Sequence, residues 1–271
     1  MIAVCLYPIL HVTFASFSDS NRLMAHSGIL LWPISPNLAA YKAVMENGLI
    51  GTGYINTLFI VVVGVTLNII MTSLGAYFLS RRDVMLKNQI MGFITFTMFF
   101  SGGIIPFYLL VKGLGLYNSI WSLILPTAMS TYNLIIMRTS FMSIPRELEE
   151  AAIIDGAGHI LILTRIILPL SKAIIAVMVL YYGIGHWNSW FNAMIFLNDR
   201  AKFPLQLVLR EILIQNDTQT MMQGTSFNDG LSISETVKYA VIIVATLPIL
   251  SVYPFLQKYF VKGVMIGALK G

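Results

Sequence analysis

Apolar residues in this chain neither alternate with polar ones nor mark one helical stripe. They come in solid blocks, most about twenty residues long, the length an α-helix needs to cross a bilayer. Six blocks are legible, at about 1–17, 53–79, 89–111, 120–141, 172–197 and 236–256. They do not have the alternating pattern of membrane barrel strands. The pattern predicts an all-α integral membrane protein with six transmembrane helices in one membrane domain, 1–271. No soluble domain fits between the blocks.

Interruptions in the pattern carry the detail. The first block is short and starts without a basic segment. It lacks the charged start and small-residue cleavage site of a signal peptide, so the natural N-terminus is expected to be longer. Pro8 is read as a kink. The polar connection 18–52 holds Asp19, Asn21, Arg22 and Trp32-Pro33, and Tyr41, Lys42 and Glu46 suggest a short surface helix. The second block contains Asn56 and Asn68 and ends at Ser80-Arg81-Arg82-Asp83, with Lys87 close by. Basic residues in a short loop mark the cytoplasmic side. Ser101-Gly102-Gly103 and Pro106 interrupt the third block, which fits either a broken helix lining a cavity or a plain kink. Arg138, near the inner end of the fourth block, is expected to snorkel to the interface. The segment 198–235 is an outer polar connection with an apolar patch from Leu205 to Ile214, and 258–271 lies inside.

Composition agrees with this reading. The chain is 57% hydrophobic and 11% charged, against roughly 25% charged in soluble domains. A net charge of +5 reflects basic residues flanking spans and gives no reason to expect nucleic-acid binding. A lone cysteine, Cys5, excludes an internal disulfide and any multi-cysteine metal site, and its apolar surroundings suggest inert packing. Histidines 11, 26, 159 and 186 lack paired metal spacing, so no metal is expected. Neither a G-x-x-x-x-G-K-[ST] phosphate loop nor a G-x-S-x-G elbow occurs.

Charge collects between apolar blocks in one long stretch, Ile144 to Pro169. Glu147, Glu149, Glu150 and Asp155 sit there beside Arg146 and Arg165. Pro145 suits a first helical turn, with Ser143 or Ile144 as the cap. The glutamates suit the positive end of the helix dipole, and Gly156 can end the helix in a left-handed conformation. A second helical piece comes next, closed by Pro169. The expected result is a helix–glycine–helix elbow in water, at 142–170.

Glu150-Ala151-Ala152, Gly156, Ile166, Leu168 and Pro169 match the pattern E-A-A-x3-G-x9-I-x-L-P at every position. This stretch resembles the cytoplasmic loop of binding-protein-dependent ABC importer permeases. The Phe260-Val261-Lys262-Gly263 and Gly267-Ala268-Leu269-Lys270-Gly271 ends are similar to the smaller permease of maltose-type carbohydrate importers. Gly185-His186-Trp187-Asn188-Ser189-Trp190-Phe191-Asn192 resembles a subgroup handling larger or modified oligosaccharides. The resemblance implies the type I ABC importer permease fold and a multi-pass subunit in the cytoplasmic membrane of a bacterium. It implies a heterodimer with a second permease, two ATPase subunits, an extracytoplasmic binding protein and a carbohydrate substrate, an oligosaccharide. No catalysis is expected in this chain, and no cofactor; ATP and magnesium belong to the partner ATPase.

On that resemblance Glu147 to Gly156 form the coupling helix, with Glu150 held by the ATPase and Ala151 and Ala152 against its wall. Segment 198–235 becomes a loop reaching the binding protein, with Thr220, Gly224, Asn228 and Gly230 as its contact candidates; Gly224, Gly230 and several Asn and Ser residues suit a mobile tip. Sugar recognition needs aromatic faces and amides, and Tyr182, Trp187, Asn188, Trp190 and Asn192 supply both. On a continuous helix Asn188 and Asn192 share a face flanked by the tryptophans. The same run also fits an interfacial aromatic belt. Two other classes remain. An ion-coupled secondary transporter usually needs carboxylates inside the spans, and none sits convincingly mid-span. An intramembrane enzyme would need His186 with Asp199, about 20 Å apart along a helix.

Overall fold

The computed structural model of the chain describes residues 2–222, 236–251 and 254. Among the described residues all regular structure is helical. In chain order the helices are α1 (Ile2–Ser16), α2 (Ser20–Ala25), α3 (Ala39–Glu46), α4 (Gly48–Ser80), α5 (Lys87–Phe99), α6 (Ile104–Gly113), α7 (Trp121–Ile124), α8 (Thr131–Met142) and α9 (Glu147–Ile154). They continue as α10 (His159–Leu170), α11 (Lys172–Trp187), α12 (Trp190–Phe196), α13 (Leu205–Met222) and α14 (Thr236–Ser251). One of them, α4, is long and apolar enough to cross a membrane alone. Two bent pairs, α5 with α6 and α10 with α11, each pass that test together.

The second block is longer than its apolar pattern suggested, because α4 begins at Gly48. The third breaks at the expected place, and its halves are bent by 113° across 100–103. The surface helix at Tyr41 is α3, with Lys42 and Glu46 paired at 3.9 Å. Two blocks expected to be continuous are not. The fourth stops after α7, passes through a 3₁₀ turn at Leu125–Thr127 and restarts as α8, capped by Ser130. Pro126 sits in that turn, where it removes a helical N–H. The fifth stops at Asn188 and restarts at Trp190; Asn and Ser offer the backbone local alternatives to the helix. Cys5 is exposed rather than packed.

Of the described residues, 2–57, 189–222 and 236–251 form one compact unit, and 58–188 make up the body of another. In the first, the turns of α4 before residue 58 are tied to the chain entering α13. The Asn56 amide donates to the carbonyls of Ala201 (2.8 Å) and Phe203 (3.1 Å), and the Thr57 hydroxyl accepts from the Leu205 N–H at 2.8 Å. The Tyr54 hydroxyl donates to the Val244 carbonyl on α14. Ser16 on α1 meets the Tyr41 hydroxyl at 2.7 Å.

The second unit has a core of Ala76, Tyr77, Leu79, Leu134, Met137, Phe141, Ile162, Leu163, Ile167 and Met178 from α4, α8, α10 and α11. Its outer faces stay apolar: Val62, Phe93 and Phe99 are 63%, 72% and 77% exposed. So wide an apolar surface belongs against lipid or another subunit. In lipid, apolar burial between helices contributes little, so close packing and polar bonds hold such a bundle, each bond giving about 0.6–2 kcal/mol.

Two polar knots fill that role. The buried Asn68 amide donates to the Thr127 carbonyl, while its Oδ1 lies 2.7 Å from His186 Nε2. An amide oxygen only accepts, so His186 carries its proton on Nε2. The second knot is the Tyr182 hydroxyl, 2.6 Å from Thr72 Oγ1 and accepting the Ser130 N–H at 3.1 Å. It therefore pins the break in the fourth block to α4 and α11.

Gly64 makes room for the first knot: a Cβ there would lie 2.6 Å from His186 Nε2 and 2.8 Å from Cε1. The ring is buried and hydrogen-bonded, so it cannot yield cheaply. Gly64→Ala is expected to cost about 1–3 kcal/mol of overpacking, read as a lower melting temperature in detergent. Adding His186→Ser should recover part of it. A Gly64→Ala variant that melts like the wild type would show that α4 and α11 tolerate a wider spacing.

Candidate functional site

The acidic elbow is built from α9, α10 and the turn between them. The cap is not Ser143 or Ile144. Pro145 lies ahead of the helix, which starts at Glu147, and the carbonyl of Arg146 accepts from the N–H groups of Glu149 (2.8 Å) and Glu150 (2.9 Å). Glu147, Glu149 and Glu150 occupy the first turn, where the helix dipole favours negative charge. At the other end Gly156 has φ +81°. Its N–H bonds the Ile153 carbonyl at 2.9 Å, and the Ala157 N–H reaches back to the Ala152 carbonyl at 2.9 Å. Those two bonds are the Schellman motif, which satisfies the last carbonyls of the helix.

α9 has two unlike faces. Glu149 and Ala152, three residues apart, are half-buried, and Ala152 packs against the core. Ala152 thus lies on its own chain rather than facing outward as expected. Glu147, Glu150, Ala151 and Ile154 are exposed, and their spacing places them on one face. Ile154 is 85% exposed, a large apolar group at the C-terminal end of the face that Glu147 and Glu150 begin. It lies outside the E-A-A motif, although its spacing from Glu147, Glu150 and Ala151 is legible in the sequence.

Ile166 and Leu168, the later part of the motif, also pack against the core. Between Leu163 and Ile167 the helix widens to a π turn, in which the Leu168 N–H bonds the Leu163 carbonyl. Pro169 comes next, with no N–H of its own. The chain then turns by 87° into α11, so the helix runs on past Pro169 only to Leu170.

The elbow is fastened to the end of α4. Arg81 Nη1 lies 3.2 Å from a Glu149 oxygen and 2.9 Å from the Tyr77 hydroxyl, and its Nε lies 3.0 Å from Asp83. Burial acts to lower the pKa of the guanidinium, but hydrogen bonds to Asp83 and Tyr77 outweigh it, and the net shift is upward. The same bond from Arg81 holds the Asp83 carboxyl below its ordinary range. Arg138 Nε donates to the Leu79 carbonyl at 2.9 Å, capping the inner end of α4 with positive charge. Beside the clamp is a cavity of about 270 Å³ lined in part by Arg82, Phe141, Ile144, Arg146, Glu150 and Ile153.

Comparison with known proteins decides the family. Residues 69–266 match the model of the binding-protein-dependent transport system inner membrane component. The chain belongs to this family. It is 42% identical to the polygalacturonan/rhamnogalacturonan transport system permease protein YtcP of Bacillus subtilis (strain 168), over 99% of this chain and 93% of that protein. It is 43% identical to protein LplC of the same organism, over 99% of this chain and 90% of LplC. In structure it is similar, with a TM-score of 0.86 and 33% identity, to a chain of a bacterial ABC transporter that imports the acidic polysaccharide alginate; the match covers 96% of this chain and 92% of that one. The resemblance seen in the E-A-A stretch is thus confirmed, and the comparisons give the secondary-transporter reading no support.

In this permease the aromatic run does not lie on one continuous helix. The stop at Asn188 and Ser189 separates Trp187 from Trp190 and Asn192. Tyr182 and Trp187 are buried, Asn188 is exposed, and Trp190 and Asn192 are half-buried. The Tyr182 hydroxyl is engaged by Thr72 and Ser130. One face of Trp190 is covered by the Arg210 guanidinium, 3.7 Å from the ring centroid. His186 has Asn68 as a partner, while Asp199 caps the turn at Ala201 and pairs with Lys202; the acid–base pair gains no support. Thr220 lies in the last turns of α13. Gly224, Asn228 and Gly230 lie outside the described residues.

Proposed function

We propose that this permease is a six-span subunit of an ATP-driven importer for an oligosaccharide, and that α9 is its coupling helix. The exposed face of Glu147, Glu150, Ala151 and Ile154 carries this reading. A short helix that exposes carboxylates in its first turn and an isoleucine at its end suits a groove on another protein, not a lipid surface, which favours basic helices. On this reading a second permease completes the path, two ATPase subunits bind ATP and magnesium, and an extracytoplasmic binding protein delivers the sugar. The connection between α12 and α14 meets that binding protein. Trp187, Asn188, Trp190 and Asn192 are the candidates for the translocation path.

The sugar is proposed to be acidic. Polygalacturonan/rhamnogalacturonan is in the name of YtcP, and the structural relative imports an acidic polysaccharide. The test is the complex in proteoliposomes with its binding protein. Acidic oligogalacturonides should stimulate ATP hydrolysis and enter, and neutral maltodextrins should not. Stimulation by maltodextrins alone would remove the acidic substrate; no response to any oligosaccharide would remove the sugar.

Topology gives a further prediction. In a Cys5→Ser background, single cysteines at Arg82 and Glu150 should react only with reagents that enter the cell. A cysteine at Asn216 should react from outside. Labelling at position 150 from outside would invert the arrangement.

A further inference from the structure

The coupling reading leaves Glu149 without an evident task, because it does not share the exposed face. Its carboxylate points into the chain, 3.2 Å from Arg81, and the two side chains are 21% and 14% exposed. Arg81 is itself fixed from three sides. Tyr77 one turn back holds Nη1, Asp83 holds Nε, and the Arg81 carbonyl accepts from Lys87 Nζ at 2.8 Å. Lys87 opens α5, so the clamp joins the end of α4, the start of α5 and the first turn of α9. Ala152 of α9 and Ala157 just beyond it also pack at the edge of the core, through apolar contacts. Apolar contacts are not directional, whereas a charge-assisted bond with two fixed partners sets an orientation. Arg81 and Glu149 themselves line the cavity of about 270 Å³, with Glu150 and Ile153 of α9.

We propose that Arg81 and Glu149 form a latch that sets the angle of α9, so that force on the elbow reaches α4 and α5. They are positioning residues and do not touch the ATPase. This rests on α9 being the coupling helix. A loosened latch lets α9 rock when pushed, and ATP is then spent without transport.

The test is uptake per ATP hydrolysed by the complete complex, measured with ATPase retention and melting temperature. Glu149→Gln and Arg81→Gln should each lower uptake per ATP by about threefold or more, with ATPase subunits still bound. The double variant should be no worse than either single one, since both remove the same bond. Arg81→Lys should keep at least half the wild-type ratio, and it stands in for Arg81→Gln if that protein does not assemble. Wild-type ratios in Glu149→Gln would overturn the latch, as would additive losses in the double variant. Loss of the ATPase in Glu149→Gln but not in Arg81→Gln would instead place Glu149 at the subunit interface. Ile154→Asp in the same assay separates the two ideas. If it and Ala151→Trp both transport normally, the coupling reading falls; if it is inactive while Glu149→Gln is normal, the latch alone falls.

Discussion

Ile154→Asp is expected to reduce sugar uptake at least tenfold and to leave ATPase subunits bound at less than the normal ratio. Burying an isoleucine in a partner's groove contributes about 1.5–3 kcal/mol, and an aspartate there would also have to lose its water. At 1.4 kcal/mol per factor of ten, that is a ten- to hundredfold loss of local affinity or more. In the proposed assembly a second permease would still hold the ATPase pair, so transport should suffer more than retention. Ala151→Trp should act alike by blocking close approach. Glu150→Ala, removing one charge-assisted bond, should cost about 1–3 kcal/mol. None of these residues supports the fold: Ile154 is 85% exposed, and Glu150 and Ala151 are exposed. Ala152→Trp is a poor test of the same idea, because Ala152 packs on the core. If Ile154→Asp and Ala151→Trp both import sugar at the normal rate with the ATPase bound, α9 is only a connector.

Each apolar block is mostly helical over its described residues, yet among those residues only α4 and two bent pairs are long and apolar enough to cross a membrane. The pattern of residues was enough for the elbow, where glutamates at one helix end and a glycine at the other each act locally. What it could not show was where an apolar run stops being helical. Pro126 and Asn188-Ser189 interrupt blocks that read as continuous, and hydropathy counts neither a missing N–H nor a competing hydrogen bond. The Pro126 signal was legible, with Ser130 placed three residues before Asn133 to cap α8. Pairings distant in the chain were not legible. Nothing local says that Asn68 will meet His186, that Tyr182 will accept from Ser130, or that Glu149 will turn inward to Arg81. The E-A-A motif therefore reads as one functional string but divides in three. Glu150 and Ala151 face outward, Ala152, Ile166 and Leu168 hold the elbow to the core, and Gly156 shapes the turn.

That division sets up the other large effect, at Gly156. With φ at +81° the position is left-handed, and apart from Gly156 and its two chain neighbours no heavy atom lies within 4 Å of where a Cβ would stand. Any penalty for a side chain within this chain is thus backbone strain rather than a clash. For leucine it is about 1–2 kcal/mol; asparagine, which visits this region, should pay less. Relaxing the strain means giving up the bonds from Gly156 and Ala157 to the carbonyls of Ile153 and Ala152, which join α9 to α10. Gly156→Leu should therefore loosen the elbow and lower uptake about tenfold, while the protein inserts and melts nearly as before. Gly156→Asn should keep a large part of the activity, and Gly156→Ala should fall between. Steric blocking by the partner would give another order, with alanine, the smallest side chain, least affected. Uptake ranked asparagine, alanine, leucine supports the turn; alanine above asparagine would move the cause to the partner's surface. Equal, wild-type uptake in all three would show that coupling does not need this turn held.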